Sequence, residues 1–142
     1  MFTTSVNRDG PEKIFIQVKN GYSTATVTAG QLVCLSTTAA DGVTVTRPAT
    51  ANLALLKGIV TQSDGIAYGS YGEAQCYGYN AVALVSGGTD VAAGDKLSAK
   101  DAVFNAIKAA GTLVAGESGV LIALEAFTTS TAAAKKVEIR AM

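Results

Sequence analysis

Side chains able to do chemistry are few in this chain of 142 residues, and it contains no histidine. That removes the usual general base, the Ser-His and Cys-His pairs and the commonest metal ligand. Cys34 and Cys76 fall in runs that read as strands, where a free thiol behaves as a small buried hydrophobe. Two thiols without histidine cannot complete a zinc site, so both are expected to be reduced, buried and unlinked. Asp90 and Asp95 flank Gly94, and a carboxylate pair can serve acid-base work or an oxygen-rich calcium site. Beside glycine, however, aspartates are turn formers first. Gly87-Gly88-Thr89-Asp90 is a glycine loop, yet it lacks the lysine and following helix of a phosphate-binding loop. These residues predict no catalytic, cofactor-binding or metal-ligating set, and the expectation is that the protein is not an enzyme.

Tyrosine is the residue with a pattern. Tyr68, Tyr71, Tyr77 and Tyr79 account for four of the five in the chain. Each ring offers contact area and each hydroxyl a hydrogen bond, which suits a protein- or sugar-binding surface. The alternative is that they pack over glycines within a sheet. With Phe2 and Val6 near the N-terminus, these four tyrosines are the candidate partner contacts.

The elements that must position them are strands. From Gly58 to Leu97, apolar pulses at Gly58-Ile59-Val60, Ala74 and Cys76, Val82 to Val85 and Val91-Ala92 alternate with glycine-bearing breaks, the punctuation of short strands and tight turns. There Glu73, Gln75 and Tyr77 are expected on one face, with Ala74, Cys76 and Gly78 on the other. Upstream, Ile14, Ile16 and Val18 alternate with Phe15 and Gln17, and Asn20-Gly21 predicts a hairpin into Ala25, Val27 and Ala29. Leu32 to Leu35 reads as a strand covered on both faces, and Val43 and Val45 as another that Pro48 ends. Residues 49–56 are open between a helical turn and a crossing. Residues 98–110 satisfy local helix rules from Ser98 to Gly111, with a turn and strand as the rival. Val120 to Phe127 is apolar, and Lys135 to Ala141 predicts an edge strand with Val137 and Ile139 inward and Lys135-Lys136 a solvated pair. Residues 1–13 show neither period and read as an N-terminal arm before one β-rich domain over 14–142. Val27-Thr28-Ala29-Gly30-Gln31 recurs as Val91 to Asp95 and as Leu113 to Glu117, at unequal intervals that point to a repeated turn rather than a solenoid.

The totals narrow the partners. Eleven basic and eleven acidic residues cancel, so the footprint for a nucleic-acid backbone is missing. No window approaches the roughly 20 apolar residues of a membrane-spanning helix, and no secretory signal is read at the N-terminus, so cytoplasmic synthesis is expected.

In their order, Ala29-Gly30-Gln31-Leu32-Val33, an acidic turn with a short strand, Gly58-Ile59-Val60, the glycine-rich segment ending at Gly78, Ala93-Gly94-Asp95-Lys96-Leu97 and Ala123-Leu124-Glu125-Ala126 resemble the head decoration, or capsid cement, proteins of tailed bacteriophages of the lambda type. The likeness covers about Gly30 to Ala126. It implies a mainly β fold, a small β-tulip-like or barrel-like domain with an extended N-terminal arm and at most one short helix, and it favours turn and strand over helix at 98–110. It further implies a virion protein on the capsid exterior, commonly trimeric at threefold and quasi-threefold positions, whose partner is the major capsid protein. A receptor- or glycan-binding β module using the tyrosines as its platform is the alternative.

Overall fold

The computed structural model describes residues 12–86, 90–108, 121–128 and 131–140. The N-terminal arm up to residue 11, the loop at 87–89 and the third copy of the turn at 113–117 lie outside them. The described residues form nine strands: β1 (Ile14–Asn20), β2 (Leu32–Leu35), β3 (Thr44–Thr46), β4 (Leu56–Val60), β5 (Tyr71–Val85), β6 (Lys96–Ala99), β7 (Ala106–Lys108), β8 (Leu121–Ala123) and β9 (Ala133–Ile139). One 3-10 turn, Leu53–Leu55, accompanies them. The protein is mainly β, as expected, and 98–108 is strand, turn and strand.

Hydrogen bonding closes these strands into two rings that share β5. In the first, β1 pairs with β3, β3 with β2, β2 with β4, β4 with β5, and β5 returns to β1. In the second, β5 pairs with β7, β7 with β6, β6 with β8, β8 with β9, and β9 returns to β5. Each ring has one parallel pair, β1 with β3 and β5 with β7. A closed ring leaves no free strand edge. β9 is therefore not the edge strand its charges predict, because β5 and β8 flank it on both sides. Val137 and Ile139 are fully buried, as the alternation requires.

The rings are copies of one motif, and their registers superimpose apart from a shift between Asn80 and Ala83 in the second that the matching pairs from Ile16 to Val18 lack. Val60 faces Ala74 where Ala123 faces Val137; Leu35 faces Val45 where Ala99 faces Ala106; Asn20 faces Val45 where Val85 faces Ala106. Isolated bridges recur at Val27 with Ile66 and Val91 with Phe127. The recurring turn sits at the same place in both. Gly30 N donates to Val60 O and Gly94 N to Ala123 O, while the Gln31 and Asp95 side chains accept from Thr28 N and Ala92 N. Asp95 is thus a turn former, and the first two echoes are equivalent positions of a duplicated unit. One core cluster holds Val18, Val27, Val33, Val45, Val60, Ile66 and Ala74, the interior of the first barrel. At the matching positions of the second stand Ala83, Val91, Leu97, Ala106, Ala123, Phe127 and Val137.

Long β5 joins the barrels. The pulses at Ala74 and Val82 to Val85 are parts of one strand of 15 residues rather than two strands. Gly78 lets it cross: its φ is 97°, and a Cβ there would strike the carbonyl oxygen of Glu12. The expected alternation holds here with both faces covered: Ala74 packs inside the first barrel, while Gln75, opposite Ile59, lies on that barrel's outer side and is buried as well. Gln75 is accommodated there because its amide nitrogen donates to Tyr77 O and Tyr79 O while its oxygen accepts from Asn80, so a buried amide is satisfied as burial demands.

The expected hairpin after Asn20-Gly21 does not form. Asn20 is itself buried; its amide donates to Ala25 O and Ile66 O and accepts from Tyr22 N, which fixes the chain as a loop with Val27 as an isolated bridge. The expected alternation of Ile14 with Phe15 breaks at the start of β1. A register shift between Ile14 and Phe15 leaves them 44% and 43% exposed.

Candidate interaction surface

The tyrosines are spread over the first barrel and the crossing rather than gathered into one platform. Tyr71 pairs with Lys19 across β1 and β5, Tyr77 with Ile14, and Tyr79 with Glu138 of β9. Tyr68 lies in the loop before β5, beside the turn that Ser70 N closes onto Ala67 O. Tyr68 and Tyr71 are the most exposed, at 61% and 57%. Tyr77 is exposed and Tyr79 half-buried. Lys19 Nζ stands 5.8 Å above the Tyr71 ring and Lys13 Nζ 5.7 Å above Tyr79, cation–π distances. Phe2 and Val6 lie outside the described residues.

Two hollows flank Lys19 and Tyr71. A shallow one on the β1–β5 ribbon is lined by Phe15, Gln17, Tyr71 and Glu73 among others. With Ile14 and Tyr77 it makes an outward apolar and aromatic strip, and unpartnered aromatic area of this kind marks contact surfaces. The larger, a groove of about 700 Å³, opens where β1 and β3 end and is lined by Lys19, Tyr22, Thr37, Asp41, Arg47 and Tyr68 among others.

The groove's walls are held by polar groups whose hydrogen bonds are already committed. Asp41 accepts from Val43 N, Thr44 N and Thr44 Oγ1, and these donors lower its carboxyl to about 2. Asn52 accepts from Ala49 N and donates to Leu35 O. Tyr22 is fixed edge-on to Phe104, ring centroids 5.1 Å apart, and Arg47 stacks 5.3 Å above it. Neither Lys19 nor Arg47 has an ion-pair partner among the described residues. Sequence reasoning missed Tyr22, the tyrosine outside the cluster, and Arg47; only the position of Arg47 before Pro48, at the end of β3, hinted at its place on a rim.

Cys34 and Cys76 are unbridged. Cys34 is buried and its thiol is pushed up to about 12 by that burial, while Cys76 is only half-buried, its Sγ 3.5 Å from Ile14 O. Lys135 also departs from a solvated pair, with its Nζ 4.9 Å over Phe127.

No protein-family model and no curated protein matches the chain. Among solved structures it is similar to the N base of head fiber gp8.5 of bacteriophage phi29, with a TM-score of 0.53 and 14% identity over 90% of this chain and 94% of that one. At that identity the likeness is one of fold.

Proposed function

We propose that this chain is a non-catalytic structural protein of a bacteriophage head, seated on the capsid exterior, where it bridges neighbouring major capsid subunits and stabilises the shell. The observation that carries the reading is the fold shared with the base of a phage head fiber, which runs through 90% of the chain and so spans both barrels rather than one common module. The strip of Ile14, Phe15, Tyr71 and Tyr77 supplies a contact face of the kind such a role needs, apolar and aromatic with polar flanks. Trimers at threefold and quasi-threefold positions would repeat that face around each axis and multiply modest contacts.

The test is to titrate undecorated heads with the purified protein and follow occupancy, particle density by electron microscopy and the temperature of DNA release. We expect saturable binding at threefold positions, weak dependence on salt because the net charge is zero, and a raised release temperature. Removing Phe15 and Tyr71 together should lower occupancy more than either single change. Full occupancy with an unchanged release temperature would overturn cementing, and no binding would overturn the head assignment.

A further inference from the structure

The duplication supplies an internal control for the groove. Where the first barrel has Lys19 and Asn20, the second has Leu84 and the fully buried Val85. The first barrel's loop from Ser36 to Val43 is also longer than its counterpart from Lys100 to Asn105. At this end the second copy takes in the Gly30 to Leu32 turn of the first, whereas the first copy carries a longer loop, polar groups and a groove of about 700 Å³, a volume suited to a small ligand.

The groove's chemistry is specific. Its framework amides and the Asp41 carboxylate are committed to backbone and threonine donors and acceptors, so the walls are rigid before any ligand arrives. Lining the groove are Lys19, whose ammonium stands 5.8 Å above the neighbouring Tyr71 ring, the Arg47 guanidinium, both without ion-pair partners among the described residues, threonine hydroxyls, and the exposed ring of Tyr68. The guanidinium is held in place by its stack on Tyr22, and such a fork matches a carboxylate or phosphate. A tyrosine face beside hydroxyls matches a sugar ring, which is apolar on its faces and polar at its rim.

We propose that the groove binds an acidic saccharide, with the acid group at Lys19 and Arg47 and a sugar ring against Tyr68. This site adjoins the strip at Lys19, whose ammonium stands over Tyr71, and does not depend on the capsid reading. It would give the protein a second contact beside the strip.

The experiment uses the full chain, with amide NMR shifts and calorimetry against maltohexaose, a galacturonic acid hexamer and glucose 1-phosphate. The neutral sugar should bind at least about tenfold more weakly than one of the two acids, and which acid wins tells carboxylate from phosphate. Lys19→Gln and Arg47→Gln should each weaken the acidic ligand about tenfold, the order of a lost charge-assisted contact. Tyr68→Ala should weaken acidic and neutral sugars alike, and Lys135→Gln, in the second barrel, should change nothing. Arg47→Lys keeps the charge and should fall between, which guards against a folding defect in the glutamine variant. No binding by either acid at millimolar concentration, equal binding of neutral and acidic sugars, shifts confined to the second barrel, or insensitivity to both glutamine variants would each overturn the proposal.

Discussion

The two barrels have one strand plan and one set of registers, yet they spend their side chains differently. The first fills its interior evenly, with Val18, Val33, Val45 and Val60 against Ala74; the second places alanine at Ala83, Ala106 and Ala123 and recovers volume with Leu97, Phe127 and Val137. Total packing, rather than any single site, is what both copies preserve, in keeping with cores that tolerate exchange when volume is kept. Outside the core the divergence is sharper. The outward side of β2 and β4 in the first barrel, Leu32, Cys34, Leu56 and Ile59, is buried in the second barrel's cluster, whereas Lys96, which replaces Leu32, is exposed. One copy has become the foundation on which the other rests.

Their join is a wedge. In the first barrel Lys19 N donates directly to Val43 O. In the second the equivalent groups are held apart: Leu84 N donates to Gly30 O and Phe104 O accepts from Leu32 N. The turn of one repeat thus occupies a gap that the other repeat keeps shut.

The strongest way to break the comparison is at the crossing. Gly78→Val requires a positive φ and collides with Glu12 O, so it should cost about 4 kcal/mol and lower the denaturation midpoint of both barrels together; a change in only one would mean that they unfold independently. The wedge offers a matched pair. Gly30 and Gly94 have φ of 90° and 94°, but a Cβ on Gly30 meets Val82 O whereas nothing lies within 4 Å at Gly94. Gly94→Ala should cost about 1 kcal/mol for backbone strain alone, and Gly30→Ala about 3 kcal/mol in urea titration. Equal losses would remove the wedge from the account.

The cysteines divide by position. Cys34, at the join, is held protonated up to about 12 against an ordinary 9.0. The unfolded chain ionises it first, so its stabilising effect is complete below pH 9 and falls as pH climbs toward 12. Thermal melts of Cys34→Ser should lose that alkaline slope, though they begin lower. Alkylating agents should modify Cys76 first, with Cys34 reacting at the global unfolding rate. The smallest effect belongs to Asp41, found only in the longer loop. Its carboxyl is lowered to about 2 from 3.8 by the donors of Thr44 and Val43, so its contribution is full above pH 4 and fades toward pH 2. Asp41→Asn should flatten a shallow acid slope seen in the amide shifts of the groove and leave the second barrel untouched.

Much of the strand content was legible because burial on one or two faces writes a period into the sequence: Leu32 to Leu35, and Val137 with Ile139, needed no more than that. The duplication was half legible. Its turn appeared in Val27 to Gln31 and Val91 to Asp95, but the loops between differ in length and Val45 answers to Ala106, so volume conserved across a core left no matching letters. Pairing partners were not legible. Whether β9 is an edge depends on the far half of β5, and no local pattern reports a contact of that separation. The groove escaped for a related reason. Asn20, Asp41 and Asn52 read as turn residues, which they are, and nothing local reveals that three loops meet.

β5 also sets an order of events during synthesis. Its first half, Tyr71 to Tyr77, completes the earlier ring against β1, so that ring can close while the later strands are still being made. Its second half then emerges from a finished structure already fixed in direction, and β9, made later, docks on it from Gly78 to Val85. Distant pairing is slow because a long loop must be closed first. Here a single shared strand divides one long closure into two shorter ones, and the nascent chain never has to search for both at once.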